Sequence, residues 1–120
     1  MSKNPLVKIE PLLRTAATSV GQKIRFPDQD SEIAASIVEI PPGVEFGWHS
    51  HPYLRCGYIL EGTVTVEEAD GSRKEHSAGS FVVEAQEARH RGMNLGAGPV
   101  RILVIDLAKE GHSNHREEEA

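Results

Sequence analysis

An antiparallel, all-β domain is what this sequence predicts, on three observations. Turn-forming residues recur at short intervals, the stretches between them are β-branched and apolar, and one stretch alternates polar and apolar residues. The turn signals fall at Phe26-Pro27-Asp28, Pro41-Pro42-Gly43, Glu61-Gly62, Ala69-Asp70-Gly71, Ala78-Gly79 and Gly96-Ala97-Gly98-Pro99. That spacing leaves room for many short strands and little for long helices.

The strand candidates are Ile37 to Ile40, Tyr58 to Leu60, Thr63 to Val66, Phe81 to Val83 and Arg101 to Ile105, whose branched side chains suit a pleated surface. Thr63 to Glu67 alternates, so one face meets a core and the other meets solvent. Asp70-Gly71 then supplies a tight hairpin turn. Ile102 to Ile105 is apolar throughout, as expected of a strand covered on both faces. Together these strands predict a sandwich or barrel. One short helix is expected over Ile9 to Val20, weakened by Thr15, Thr18 and Ser19. The last stretch, GHSNHREEEA, lacks packing residues and reads as a solvated acidic tail over 110–120, after a single domain over 1–109.

The chain has 120 residues, enough for one core and too few for two. A net charge of -5 argues against nucleic acid or an anionic membrane surface as the partner. The lone Cys56 cannot form an intrachain disulfide, and no stretch approaches the roughly 20 apolar residues of a membrane helix or forms a signal peptide. A cytoplasmic protein is expected.

Chemistry concentrates between Gly43 and Gly62. If Glu45 to His51 forms a strand, its period of two turns Glu45, Gly47, His49 and His51 to one side and Phe46, Trp48 and Ser50 to the other. Both imidazoles then aim at one point, the strand spacing that allows two ligands to one metal ion. Phe46 and Trp48 are expected in the core between sheets or in a dimer contact. His112 and His115 read as part of the solvated tail.

Gly43, His49, His51 and Gly62, then Gly79, His90 and Asn94, fall in a frame that resembles the two motifs of the cupin family, G-x5-HxH-x3,4-E-x6-G and G-x5-PxG-x2-H-x3-N. The resemblance implies a double-stranded β-helix, or jelly-roll barrel. It also implies a divalent transition metal (Fe, Mn, Ni, Zn or Cu) held by His49, His51 and His90. Three imidazoles leave positions on such an ion open for substrate or water.

The chain departs from the motifs at three places. Ala85 and Glu87 stand where Pro and Gly are expected, and Arg55 stands at the glutamate ligand position. An arginine offers only donors and cannot ligate a cation. Either Arg55 clamps an anionic substrate beside a three-histidine centre, or the metal is weak and the pocket binds an acidic small molecule. Glu84 and Glu45 are the carboxylates placed to replace the missing ligand, and Arg55, Tyr53 and Glu84 are the candidate substrate-binding residues. With the alternate spacing Cys56 takes the glutamate position, as in thiol dioxygenases. Those enzymes cross-link that cysteine to a distant tyrosine, for which Tyr53 and Tyr58, its sequence neighbours, are poor partners.

The expected function is therefore a metal-binding protein acting on a small anionic molecule, with a metal-dependent oxygenase as the first reading. A non-catalytic binding or sensing module and a non-oxidative enzyme such as an isomerase are the alternatives. A homodimer is expected, because sheet edges are commonly paired or covered.

Overall fold

The computed structural model describes residues 4–119. Nine strands follow in chain order: β1 (Ser31–Ile40), β2 (Glu45–Ser50), β3 (Leu54–Glu61), β4 (Thr63–Glu68), β5 (Arg73–Ser77), β6 (Phe81–Val83), β7 (His90–Met93), β8 (Val100–Lys109) and β9 (Arg116–Glu117). They form two antiparallel sheets, one ordered β1-β8-β3-β6 and the other β5-β4-β7-β2-β9. The sheets face one another across the interior, as in a jelly roll. No helix among the described residues is long and apolar enough to cross a membrane.

Register decides which residues face inward. On the first sheet Val38 pairs with Ile102 and Ile102 with Ile59, while Gly57 pairs with Val104 and Arg55 with Asp106. Directly paired residues share a face, so hydrophobic core and polar site share one inner surface. The core is a cluster of Ile40, Ile59, Val64 and Val100, with Val38 and Ile102 against it. Arg55 lies four residues back along β3 from Ile59, about 13 Å at the rise of a strand, so the polar residues occupy the far end of the same interior.

Gly62 makes the tight passage from β3 to β4 possible. Its φ is 78°, and a Cβ there would lie 2.4 Å from the Pro99 carbonyl oxygen, so the turn excludes every side chain. The hairpin between β4 and β5 closes with Gly71 at φ 87°, and Asp70 Oδ1 accepts from the Ser72 amide at 2.9 Å. Strand β5, Arg-Lys-Glu-His-Ser, carries no apolar signal. It forms as an edge strand because β4 offers it a ladder.

The helix expected over Ile9 to Val20 is absent. Thr15 Oγ1 donates to the Ala17 carbonyl at 2.8 Å and accepts from the Ala17 amide at 3.0 Å, and Thr18 Oγ1 accepts from the Gln22 amide at 3.2 Å. These local bonds give the backbone an alternative to helical pairing. The segment turns back on itself, with Ala17 bridged to Lys23.

The solvated tail expected from residue 110 is corrected for residues 114–118; Ala120 lies outside the described residues. β9 pairs with β2, His49 opposite Glu117 and Ser50 opposite Arg116. Asn114 is buried at 7% exposure. A segment without apolar residues docks here through hydrogen bonds, which composition does not reveal.

Candidate metal centre

His49 and His51 reach the interior from β2 and the residue after it, and His90 arrives from the start of β7, directly opposite His49 in the register. All three histidines are buried. The simple alternation expected along β2 breaks at an irregularity between Phe46 and His49. Phe46 therefore joins the cavity wall beside His49, their rings 4.9 Å apart. Trp48 turns outward, and instead of packing between sheets it lies beneath the guanidinium groups of Arg89 and Arg91, at 4.3 and 4.8 Å, a cation–π arrangement.

The carboxylate that completes the cluster is Glu84. It follows β6, and its amide donates to the Arg55 carbonyl at 2.9 Å, fixing its register beside the site. Glu84 Oε1 lies 3.1 Å from His90 Nε2 and 3.3 Å from His51 Nε2. One ligand atom from each of His49, His51, Glu84 and His90 can be chosen so that all four lie within 4.8 Å of one another. Glu45 is elsewhere, paired with Arg91 at 2.9 Å on the surface.

The outer nitrogens decide how the histidines are used. His49 Nδ1 lies 2.6 Å from the Gly47 carbonyl, His51 Nδ1 2.7 Å from the Asn114 carbonyl and His90 Nδ1 2.9 Å from the Ala88 carbonyl. A carbonyl only accepts, so each Nδ1 carries the proton; His49 and His51 then turn an Nε2 lone pair inward, whereas His90 Nε2 lies 3.1 Å from Glu84 Oε1 and donates to that carboxylate. Among the described residues His51 Nε2 is buried with no hydrogen-bond partner, Glu84 Oε1 approaching it at 3.3 Å without hydrogen-bond geometry. Lone pairs and a carboxylate that converge in this way repel one another unless a cation lies among them. The donor set therefore fits a divalent transition metal, for which imidazole and carboxylate are suitable ligands.

The members of the cluster titrate differently. Burial pushes His49 down to about 4, against the Gly47 carbonyl, with His90 and His51 adding to the shift. Burial alone would raise the Glu84 carboxyl, but the adjacent His51 and His90 imidazoles outweigh it and hold Glu84 well below the usual carboxylate range. Burial would lower His90, yet its contact with Glu84 raises it. His49 is thus neutral at pH 7, whereas His90 is biased toward its protonated form by Glu84.

Arg55 points inward, and its guanidinium is already engaged. Nε donates to Asp106 Oδ1 at 2.8 Å and Nη2 to Asp106 Oδ2 at 3.1 Å, a bidentate pair whose partner is 9% exposed. Asp106 went unnoticed in the sequence because it sits in an apolar strand with no motif around it. Tyr53 does not line the cavity; its amide donates to Asn114 Oδ1 at 2.7 Å and its ring lies 6.3 Å from His112. Cys56 pairs with Ile105 and Val83 in the register, on the face opposite Arg55. Burial pushes its thiol up, with Glu84 and Asp106 adding to the effect, and it does not line the cavity beside the cluster. At the departures from the second motif, Ala85 is buried and Glu87 takes the left-handed φ of 56° that a glycine would adopt freely.

The cavity beside this cluster has a volume of about 70 Å3, well below the roughly 300–1,000 Å3 of pockets for drug-sized ligands. Its walls are mainly Val38, Ile40, Ile59, Val64, Ile102 and Val104, with His49, Glu84, His90 and Arg55 at the polar end.

The family model of the cupin domain matches residues 36–106, which covers both motifs and strands β2 to β7. The chain is a cupin. This cupin is similar to an uncharacterized conserved protein with a double-stranded β-helix domain from Klebsiella pneumoniae, at 19% identity and TM-score 0.62 over 81% of this chain and 91% of that one. It is similar to a DMSP lyase from Ruegeria pomeroyi, at 20% identity and TM-score 0.61 over 71% of this chain and 42% of the lyase. It is also similar to the oxalate decarboxylase of Lactobacillus farciminis in a formate complex, at 26% identity and TM-score 0.57 over 71% of this chain and 26% of that one. The cupin spans less than half the length of the DMSP lyases it matches. No curated protein matches it.

Proposed function

We propose that this cupin is a metal-dependent enzyme that binds one divalent transition ion on His49, His51, His90 and Glu84 and acts on a small organic molecule admitted to the barrel. The observation that carries this reading is the convergence of three Nε2 atoms and one carboxylate within 4.8 Å, with each opposite nitrogen fixed by a backbone carbonyl. When bound, such an ion supplies a Lewis acid, and a redox-active one adds electron transfer. The protein's part is to orient the ligands, exclude water through the apolar walls and limit the occupant by volume.

The anionic end of the substrate belongs at the metal in this reading. Arg55 is neutralised by Asp106, so clamping an anion would require it to release a buried carboxylate. A carboxylate or enolate facing the ligands, with a short apolar body against Ile59 and Val104, matches the distribution of polar and apolar wall. Oxygenation of such a molecule is the first reaction to test. The second reading, a non-oxidative lyase or decarboxylase reaction, is favoured by the activities named for the lyase and decarboxylase to which the chain is similar.

Protein purified without added metal should contain close to one transition ion per chain by elemental analysis. Metal-free protein that takes up none of Fe(II), Mn(II), Ni(II) or Zn(II) would overturn the proposal. Oxygen uptake on a panel of small hydroxy and keto acids separates the oxygenase from the non-oxidative reading.

We propose further that the protein forms a homodimer through the outer face of its first sheet. Ile33 and Ile37 on β1 share that face with Leu103, Ile105 and Leu107 of β8 by register, and the first two are 69% and 50% exposed. The free edge of β1 is long and unbroken by proline, the kind of edge that pairs with another strand. A second copy supplies both a self-complementary edge and an apolar face, so it fits better than an unrelated partner. Sedimentation should report a dimer that Ile37→Lys converts to monomer; a monomeric wild-type protein at high concentration refutes the interface.

A further inference from the structure

The segment beyond β8 is the least motif-like part of the chain, and it touches the metal centre directly. Asn114 stands at its middle. The carbonyl oxygen of Asn114 is the acceptor 2.7 Å from His51 Nδ1, while those for His49 and His90 come from residues two positions before each ring. His51 alone has its proton position set by a residue distant in sequence. The Asn114 side chain is bolted at three points: Nδ2 donates to the Leu54 carbonyl at 3.0 Å and to Asp106 Oδ1 at 2.6 Å, and Oδ1 accepts from the Tyr53 amide at 2.7 Å. Its neighbours add to the grip. The His115 ring stacks on His49 at 5.1 Å and 24°, and Ser50 Oγ donates to Glu118 Oε1 at 2.7 Å.

We infer that Asn114 is a positioning residue for the metal centre: its anchored backbone carbonyl locks His51 in the tautomer whose Nε2 faces the ion, and its side chain ties that lock to the Arg55–Asp106 pair. The argument rests on the metal-binding reading above for its consequence, but the tautomer lock itself is independent of metal. A neutral histidine distributes its proton between two nitrogens, and the form with the proton on Nε2 cannot ligate through that atom. Removing the anchor lets the carbonyl drift, and His51 then loses the partner that selects the productive form. Loss of such an outer partner typically weakens metal binding about 10–100-fold.

The test compares wild type with Asn114→Ala on two readouts. In metal-free protein, long-range 1H–15N correlation NMR should show His51 as the pure Nδ1–H tautomer in wild type and as a mixture with Nε2–H in the variant. Calorimetric titration with Mn(II) and with Zn(II) should show affinity reduced about 10–100-fold, with the β fold intact by circular dichroism. Asn114→Ser in the full chain, which keeps a short polar side chain but cannot reach all three anchors, gives the same two readouts should Asn114→Ala fail to fold. Unchanged tautomer and unchanged affinity in either variant overturn the inference. A wild type that takes up no metal while the variant still shows the tautomer change sinks the metal reading and leaves the lock standing.

Discussion

Replacing Arg55 separates its two possible uses. The side chains of Arg55 and Asp106 are 14% and 12% exposed and joined through two nitrogens and two oxygens. Arg55→Met keeps the length and apolar stem and leaves the Asp106 carboxylate buried without its cation. Removing one partner of a buried pair costs about 3–5 kcal/mol. Asp106 keeps one donor, Asn114 Nδ2 at 2.6 Å, which places the expected loss near the lower end, about 3 kcal/mol. For a chain of this length that corresponds to a fall in Tm of about 10–15 °C. Chemical denaturation of metal-free protein measures it, and the double variant Arg55→Met with Asp106→Leu should recover most of the loss, since an apolar pair of similar volume is often as stable as an ion pair. A loss below about 1 kcal/mol in Arg55→Met, or a double variant that is simply the sum of the two single ones, would refute the structural pairing. Arg55 would then be free to serve as an anion clamp.

The other expectations are more direct. Glu84→Gln keeps the shape but removes the charge at the centre; metal affinity should fall by at least the 10–100-fold that loss of an outer partner costs, with the fold intact by circular dichroism, and unchanged affinity would exclude Glu84 as a ligand. In metal-free protein His49 should titrate near pH 4; because its folded value lies below that of the unfolded chain, its contribution to stability is complete above about pH 6.5 and is lost as pH falls through about 4. An NMR titration placing His49 at 6.5 would contradict its burial. Gly62→Ala forces a Cβ to within 2.4 Å of the Pro99 oxygen at a φ of 78°, and should destabilise by about 2 kcal/mol or more from the left-handed conformation and the collision together; a thermal unfolding curve unchanged from wild type would mean that the β3–β4 turn relaxes freely.

Much of the site was legible because its spacing is local. His49 and His51 share a strand end, and the resemblance of the frame from Gly43 to Asn94 to the cupin motifs implied His90 as their companion. Strands β1, β3, β4, β6 and β8 were legible from branched apolar residues, which announce burial wherever they occur. What failed was local competition and long-range pairing. Thr15 and Thr18 spend their hydroxyls on nearby backbone, which averaged helix propensity misses. β5 and β9 hold no apolar residues, so they exist only because β4 and β2 present ladders to them. The alternation through Phe46 and Trp48 was broken by a register shift that depends on β7.

The sequence by itself determined an antiparallel β domain and the pairing of His49 with His51, because period and spacing are properties of neighbours along the chain. Only the tertiary structure decided that Glu84 completes the cluster, that Arg55 is answered by Asp106 51 residues away, and that Asn114 holds His51 from 63 residues away. Those contacts join segments whose relative placement is set by sheet register. Register is fixed by how whole strands pack across the core, and no single stretch of sequence contains that information.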